Sequence, residues 1–239
     1  MKPIQFLGLF FVVFWMACKP NASETPNQDA VPEEISQNER PKPTPPPAEP
    51  VNYYLNDSTF IDVKLLDSTV VLDMRYATAN NFVEEKMYNC GRCLLRPEVA
   101  RAVVKLHQEL RTQGYGGLKF FDCFRPRPVQ QKLWNKVPDP RYVTNPAKGS
   151  MHNRGAAVDL TIVDIEGKEL EMGTGFDFFG KQAYHTYVEH SDTVQANRDL
   201  LKGSMEAAGF GAIRTEWWHY SYKAKGGYPI SDFLWDCND

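Results

Sequence analysis

The chain has 239 residues, of which 42% are hydrophobic and 13% aromatic, so it can bury the core of one large domain or two small ones. Its formal net charge of −3 at pH 7 excludes a global basic field of the kind that attracts nucleic acid or an anionic membrane surface. Recognition must therefore come from a local site, and we expect no nucleic-acid partner.

The N-terminus has the pattern of an export signal. Lys2 precedes an apolar run from Ile4 to Ala17, which is too short to span a bilayer comfortably but has the length of a secretory signal core. Ala17 and Cys18 then resemble a bacterial lipoprotein cleavage site, where the cysteine becomes the lipidated first residue. We predict a signal peptide over residues 1–17, a membrane anchor through lipidated Cys18, and an exported location in the cell envelope or periplasm. Ordinary signal cleavage that leaves Cys18 free is the alternative.

Residues 18–50 differ in composition from the rest of the chain. Proline, acidic and amide residues dominate this segment, and few apolar side chains are available for burial. Such a segment cannot offset its own ordering entropy, so we predict a disordered or polyproline-like linker. The folded domain is then predicted over residues 51–239.

Within this domain, strand and helix patterns are mixed without a regular β–α–β repeat. Runs of β-branched and large apolar residues predict four strands, at Val70–Tyr76, Leu118–Phe121, Ala156–Val163 and Trp217–Tyr222. Apolar residues at helical spacing and the Gly and Pro signals at the ends predict three helices, at Pro97–Gln113, Val129–Lys136 and Asn197–Ala208. The pattern favours an α+β domain with a largely antiparallel sheet and flanking helices.

Four cysteines remain if Cys18 carries lipid, and an even number in an exported chain indicates disulfides. Cys90, Cys93, Cys123 and Cys237 allow three pairings, among which the sequence does not choose. Cys90-Gly-Arg-Cys93 also fits half of a structural zinc site, but no second Cys-x-x-Cys exists to complete it.

Two segments carry the residues of a metal site. His152 ends a loop rich in glycine and proline, and Asp159 follows seven residues later in a predicted strand. His219 lies in the last predicted strand, three residues after Glu216. Imidazole nitrogen and carboxylate oxygen are ligands that zinc prefers, and a catalytic site uses three of them. We therefore predict that His152, Asp159 and His219 hold one Zn²⁺ ion.

Glu216 is the spare carboxylate of this set. Zinc lowers the pKa of water toward ~7, and a neighbouring carboxylate can then take the proton. Strict strand alternation puts Glu216 and His219 on opposite faces, so a bend, bulge or helical turn is required between them. We predict Glu216 as the general base.

An arginine suits the negative charge that develops on the carbonyl oxygen during peptide hydrolysis. Arg125 follows a predicted strand and is fixed by Pro126. Arg127 and Arg154 are nearly as well placed by sequence alone, so the choice among the three stays open at this point.

These motifs resemble those of the D-alanyl-D-alanine dipeptidases of the VanX type, zinc D,D-peptidases related in fold to the hedgehog amino-terminal domain. The pattern Ser-x-His-x-x-Gly-x-Ala-x-Asp is carried by Ser150 to Asp159, and Glu-Trp-Trp-His-Tyr by Glu216 to Tyr220. The resemblance extends from about Phe60 to Tyr222, and four ordered motifs make it specific.

The resemblance also implies roles for residues that spacing alone does not assign. Phe124-Arg-Pro126 is similar to the Tyr-Arg-Pro element of the family, which favours Arg125 as the arginine on the oxyanion. Glu171-Met-Gly-Thr-Gly-Phe-Asp177 is similar to another family element, with Glu171 in place of the family's aspartate. The resemblance as a whole implies Ser150 and Asp177 as candidates for binding the ammonium group of a dipeptide. Cys123 and Phe124 depart from the family, where Gly-Tyr is more frequent.

The implied activity is zinc-dependent hydrolysis of D-Ala-D-Ala in the cell envelope. One alternative is a D,D-carboxypeptidase that trims the terminal D-Ala from peptidoglycan stem peptides with the same metal set. The other is a zinc-stabilised lipoprotein that binds envelope peptides without hydrolysing them. Glu216 and Arg125 argue against this last interpretation.

Overall fold

The computed structural model describes residues 60–224, 227–235 and 237. The predicted signal peptide, the lipidation site and the linker lie outside the described residues. Seven strands are described: β1 (Ile61–Asp62), β2 (Val71–Leu72), β3 (Leu94–Leu95), β4 (Gly117–Asp122), β5 (Ala157–Val163), β6 (Phe210–Ile213) and β7 (Glu216–Tyr222). Four α-helices are described: α1 (Val63–Leu66), α2 (Pro97–Thr112), α3 (Arg127–Lys136) and α4 (Asp192–Ala207). No helix in this part of the chain is long and apolar enough to cross a membrane.

The main sheet has the strand order β2-β4-β5-β7-β6. β2 pairs with β4 in parallel, and the other three pairings are antiparallel. Helices α2 and α4 pack against this sheet, at β4 and at β6 and β7 respectively. The structure thus confirms the predicted α+β class with a largely antiparallel sheet.

β5 is the central strand, and all seven of its residues are buried. Side chains on both faces of this strand are covered, so it lacks the alternation of a half-exposed strand. Asp159 is therefore a charged group in the middle of the domain core, 3% exposed. A buried charge at such a position requires partners, which indicates a functional site.

The long helix α2 agrees with its predicted pattern. Val99, Val103, Leu106 and Leu110 are all buried on the face that packs on the core. Pro97 occupies the first turn, where its missing N–H is not needed. The helix ends at Thr112, one residue before the predicted end.

The strand predicted at Val70–Tyr76 is only partly correct. Its extended part is confined to β2, after which the Asp73 N–H donates one more bond to the Phe120 carbonyl. The chain then enters a 3₁₀ turn at Arg75–Ala77. This turn buries the ring of Tyr76 and directs its hydroxyl to Asp177, an arrangement that a continuous strand does not provide.

Two predicted helix starts are late. α4 begins at Asp192 rather than Asn197, because the Ser191 side chain accepts a hydrogen bond from the Val194 N–H and caps the helix earlier. α3 begins at Arg127 rather than Val129, with Pro128 in its first turn. The sequence pattern did not indicate three of the described strands, β1, β3 and β6.

The four described cysteines form two disulfides, Cys90–Cys237 and Cys93–Cys123. The alternative in which Cys90 and Cys93 are half of a structural zinc site is therefore wrong, because each thiol is bonded to a different partner.

Candidate metal centre and active site

Neighbouring strands bring two of the candidate residues, Asp159 and His219, into one row with a third buried residue, Asp122. Asp122 at the end of β4 lies opposite Asp159 in β5, and Asp159 lies opposite His219 in β7. His152 enters from a 3₁₀ turn that precedes β5. Gly155 ends this turn with φ = 65°, where a Cβ would collide with the ring of Phe60, so the motif requires glycine there.

The three candidate ligands converge on one point. His152 Nε2 and His219 Nδ1 lie 3.1 Å apart, and Asp159 Oδ1 lies 3.3 Å from the first and 3.0 Å from the second. Zn–N and Zn–O bonds of about 2.0–2.1 Å at tetrahedral angles put neighbouring ligand atoms about 3.3 Å apart. The triangle therefore has the size of one face of a zinc tetrahedron.

The second nitrogen of each imidazole sets its orientation. His152 Nδ1 donates to the Cys123 carbonyl at 2.7 Å, which leaves Nε2 unprotonated in the neutral ring. His219 Nε2 lies 3.0 Å from Ser221 Oγ, and donation to that oxygen leaves Nδ1 unprotonated. Two nitrogen lone pairs and a carboxylate oxygen then face one another, an arrangement that a cation stabilises.

The charge balance of the site also fits a metal ion. Burial, followed by the charges of Asp159 and Asp177, raises the pKa of Glu216 well above its usual range. Burial and the charge of Asp159 raise the pKa of Asp177 to about 8. Both shifts come first from burial and then from neighbouring carboxylates, and a divalent cation would oppose both by stabilising the ionised carboxyl groups.

Glu216 and His219 share the site because the β6–β7 pairing is irregular. Ala212 lies opposite Tyr220, but the next residue, Ile213, lies opposite Glu216. The intervening residues of β7 have no partner on β6, so strict alternation is broken. This confirms the irregularity predicted between the two residues, and both side chains line the same cavity.

Arg125 is the arginine that faces this cavity. Its Nε and Nη2 both donate to Asp122 Oδ2, at 2.8 and 2.6 Å, and Nη1 donates to Gln130 Oε1 at 3.0 Å. Nη2 lies 3.6 Å from Asp159 Oδ2. The guanidinium is thus held rigidly beside the ligand set.

The two competing arginines point elsewhere. The Arg127 side chain is exposed, and its backbone N–H bonds Asp232. The Arg154 guanidinium donates to the Tyr228 carbonyl at 2.6 Å. Among the arginines considered from sequence, Arg125 therefore has the position suited to an oxyanion.

Ser150 and Asp177 both line the cavity. Ser150 Oγ accepts a bond from the His152 N–H at 3.1 Å, so this serine also supports the metal-ligand turn. Asp177 has φ = 60° and accepts a bond from the Tyr76 hydroxyl at 2.9 Å. Aspartate tolerates this left-handed conformation better than most residues.

The cavity itself is small, with a volume of about 200 Å³. Arg125, Ser150, His152, Asp159, Asp177, Glu216, Trp218 and His219 line its inner part. Phe82, Tyr142 and Phe179 pack together among its other lining residues, with ring centroids 5.0 Å apart for each of the two contacts to Phe179.

Sequence reasoning missed two buried groups that hold the site together. Asp122 is completely buried, binds Arg125, and accepts a bond from the Tyr88 hydroxyl. Tyr76 lies at the end of a segment whose pattern predicts a strand, and that pattern indicates no role for its hydroxyl. The spacing of Asp122, three residues before Arg125, could have indicated that the two side chains form a pair. No comparable sequence signal indicated the role of Tyr76.

The other histidines do not form a second metal site in the described residues. There, the His152, Asp159 and His219 group is the one set of three close metal-ligating side chains. His190 Nε2 bonds the Gln182 carbonyl at 2.8 Å, and His107 Nδ1 accepts from the Leu118 N–H at 2.9 Å. Trp217 and Trp218 are buried in the core.

A comparison with known proteins decides the family. The family model described as D-Ala-D-Ala dipeptidase, peptidase family M15, matches residues 56–234 of the chain. The chain belongs to this family. It is therefore a metallopeptidase of the zinc-dependent M15 type, and the geometry above fits one zinc ion.

Curated relatives agree over most of the family domain. The D-alanyl-D-alanine dipeptidase of Escherichia coli (strain K12) is 33% identical over 184 residues, covering 77% of this chain and 95% of the relative. The enzyme of the same name from Enterococcus faecium is 32% identical over 182 residues, covering 67% and 89%. A solved vancomycin-resistance D,D-pentapeptidase, VanY in complex with Zn(II), is 17% identical, covers 55% of this chain and 74% of its own, and has a TM-score of 0.37.

Proposed function

We propose that the chain hydrolyses the D-alanyl-D-alanine dipeptide to D-alanine in a zinc-dependent reaction. The observation that carries the proposal is the ligand triangle of His152, Asp159 and His219, with Glu216 and Arg125 facing the same small cavity. Bound zinc supplies a Lewis acid that polarises the scissile carbonyl and makes water acidic near neutral pH.

The chain's own residues then have distinct tasks. Glu216 takes a proton from the attacking water and passes it to the amine that leaves. Arg125, held by Asp122 and Gln130, stabilises the negative charge that develops on the carbonyl oxygen. Because its guanidinium is already fixed, little reorganisation is needed as that charge appears.

Asp177 is proposed to bind the free ammonium group of the dipeptide, with Ser150 at the same cavity. Burial makes the Asp177 carboxylate unfavourable while it lacks a cation, and it raises the pKa to about 8. An incoming ammonium offsets that cost through a charge-assisted hydrogen bond. A substrate with a blocked amine cannot do so.

The size of the cavity favours a dipeptide. Its volume of about 200 Å³ lies below the roughly 300–1,000 Å³ typical of small-molecule sites. Phe82 and Asp177 line both this cavity and a neighbouring groove, so they separate the two spaces. A D,D-carboxypeptidase acting on stem peptides needs an open passage between the cavity and the groove. This activity is therefore the second candidate, after the dipeptidase.

The test is a D-alanine release assay on the purified chain with D-Ala-D-Ala, with a D-Ala-D-Ala-terminated pentapeptide, and with chelator. We expect dipeptide turnover that chelator abolishes and Zn²⁺ restores, with the pentapeptide a poorer substrate. Faster pentapeptide turnover would favour the carboxypeptidase, and the absence of any zinc-dependent turnover would reject both.

Glu216→Ala distinguishes an enzyme from a peptide-binding lipoprotein that only uses zinc for stability. We expect the variant to keep one zinc ion per chain and to lose about 10²–10⁴-fold in kcat, the usual contribution of a general base. Unchanged kcat with full zinc content would remove Glu216 from its role.

We also propose that the chain is exported and acts on peptidoglycan-derived dipeptide in the cell envelope, anchored through lipidated Cys18. The apolar run before Ala17-Cys18 supports export, and the two disulfides support an oxidising compartment. Metabolic labelling with a radioactive fatty acid tests the anchor. Wild-type chain in the membrane fraction should be labelled, and Cys18→Ala should be unlabelled and released; label on both would reject lipidation at Cys18.

A further inference from the structure

The four residues 122–125, from the last residue of β4 towards the start of α3, supply much of the support for the site. Asp122 Oδ2 accepts from Arg125 Nε at 2.8 Å, and the Cys123 carbonyl accepts from His152 Nδ1 at 2.7 Å. The Arg125 N–H donates to the His152 carbonyl at 3.1 Å. This segment therefore orients both one metal ligand and the arginine.

The regular sheet does not extend through this segment. The β4–β5 register shifts between Phe120 and Asp122, and Pro126 follows Arg125 directly. The Cys123 carbonyl is thus beyond the regular ladder that orders the rest of β4. Its position therefore depends on contacts outside that ladder, which include the Arg125 N–H bond to the His152 carbonyl.

The Cys93–Cys123 disulfide is a covalent constraint on the position of Cys123. Both cysteines are completely buried. Cys93 is itself fixed, because its carbonyl accepts from the Val63 N–H at 3.0 Å and it directly precedes β3. Next to the bridge, the Phe124 N–H donates to the Leu94 carbonyl at 3.1 Å.

We propose that the Cys93–Cys123 disulfide is a positioning device for the metal centre. It holds the Cys123 carbonyl where it fixes the His152 tautomer, so that Nε2 is presented to the metal. Groups that orient a ligand in this way typically affect metal affinity 10–100-fold. The proposal rests on the metal-binding part of the proposed function, and it is independent of the substrate.

The other disulfide offers a matched control. Cys90–Cys237 joins Cys90 to a residue near the C-terminal end, 147 residues later in the sequence. Next to it, the Trp235 indole donates to the Cys90 carbonyl at 3.3 Å. Like Cys93–Cys123, this disulfide restricts the unfolded chain and so stabilises the folded one. Its removal therefore shows what the loss of a disulfide does to stability when the contacts of the metal ligands are left intact.

The experiment compares the full-length C93A/C123A and C90A/C237A double variants with the wild type. Zinc affinity is measured by competition with a chromophoric chelator, Co²⁺ spectra report ligand geometry, and thermal unfolding reports stability. We expect both variants to unfold at lower temperature. C93A/C123A alone should lose at least about tenfold in zinc affinity and show an altered Co²⁺ spectrum.

If C93A/C123A fails to fold, a second measurement tests the proposal with Cys93 and Cys123 both retained. In the C90A/C237A protein, Cys93–Cys123 is the remaining described disulfide. Because this disulfide is buried, its reduced form is prepared by refolding with a phosphine reductant, and thiol titration in denaturant confirms the redox state. Zinc release to chelator should accelerate at least about tenfold on reduction. Unchanged release and an unchanged Co²⁺ spectrum would overturn the proposal, whereas a wild-type chain that binds no zinc would overturn the proposed function itself.

Discussion

Arg125 shows how strongly a single side chain here depends on its supports. Two of its nitrogens bond the same Asp122 oxygen and a third bonds Gln130. The planar guanidinium meets these partners simultaneously, which a lysine ammonium on a flexible stem cannot reproduce. Its role at the oxyanion therefore depends on shape as well as charge.

We expect Arg125→Lys to reduce kcat about 10²–10³-fold, the usual effect of losing an oxyanion donor, with a smaller change in KM. Steady-state kinetics on D-Ala-D-Ala measures the changes in kcat and in KM separately. Arg127→Lys is the control, because that side chain is exposed and should leave both constants near wild type. Equal losses in the two variants would contradict the assignment of Arg125.

Asp177 allows a prediction about the pH dependence of stability. Its folded pKa of about 8 lies above the ordinary value of 3.8, so the folded chain binds a proton that the unfolded chain has lost. Its contribution to stability is therefore fully present below about pH 4 and is lost as the pH rises toward about 8. One such group contributes a slope of up to about 1.4 kcal/mol per pH unit.

Asp177→Asn should consequently make the metal-free protein more stable near pH 8 and flatten its decline between pH 4 and 8. Asparagine also tolerates the positive φ at this position. Urea unfolding of the chelator-treated proteins across this range gives both slopes. Parallel curves for the variant and the wild type would show that Asp177 does not carry the raised pKa.

Among the larger elements, the loop from Ala79 to Tyr88 contributes Phe82 to the wall of the cavity, and several of its other residues line the neighbouring groove. Asn81 organises it: its side-chain amide donates to three backbone carbonyls, and its oxygen accepts from the Val83 and Glu84 N–H groups. A loop with so many internal bonds holds Phe82 in a defined position between the cavity and the neighbouring groove.

Phe82→Ala should open the cavity toward the groove and broaden specificity. We expect kcat/KM for an N-terminally extended peptide, relative to the free dipeptide, to rise at least about tenfold, as a change in pocket size of this kind allows. Rates on D-Ala-D-Ala and on L-Lys-D-Ala-D-Ala give the ratio. Phe178→Ala, which changes only the groove side, should leave it unaltered; a similar ratio in all three proteins would mean that Phe82 is not the barrier.

Metal binding at the site and the stability of the folded chain are thermodynamically linked. The metal ligands come from the 3₁₀ turn before β5, from β5 and from β7, so one ion links distant parts of the chain. A ligand that binds only the folded state stabilises it by mass action, by about 2.7 kcal/mol at 100 times its dissociation constant.

Zn²⁺ added to the chelator-treated protein should therefore raise Tm by roughly 5–10 °C for a domain of this size. Mg²⁺ should have little effect, because it prefers six oxygen ligands over a set of two imidazoles and one carboxylate. Scanning calorimetry with each ion measures both shifts. An equal response to Mg²⁺, or none to Zn²⁺, would contradict the ligand set.

The chemical groups of the candidate site and the main elements that carry them are predictable from the order of residues along the chain. Two histidines, an aspartate and a spare glutamate stand at recognisable spacings, and the apolar pattern of α2 and β5 is local enough to be detected along the chain. The required irregularity before His219 was also predictable, because alternation in a strand has a fixed period.

The cysteine pairing and the support that Asp122 and Tyr76 give to the centre are visible only in the folded chain. Residue spacing also left three arginines open, and the contacts of Arg125 place it at the cavity. These features depend on distances between segments far apart along the chain, and local periodicity carries no information about such distances. The same reason explains the shortened strand at β2, where burial of Tyr76 beside Asp177 outweighs the extended propensity of its own segment.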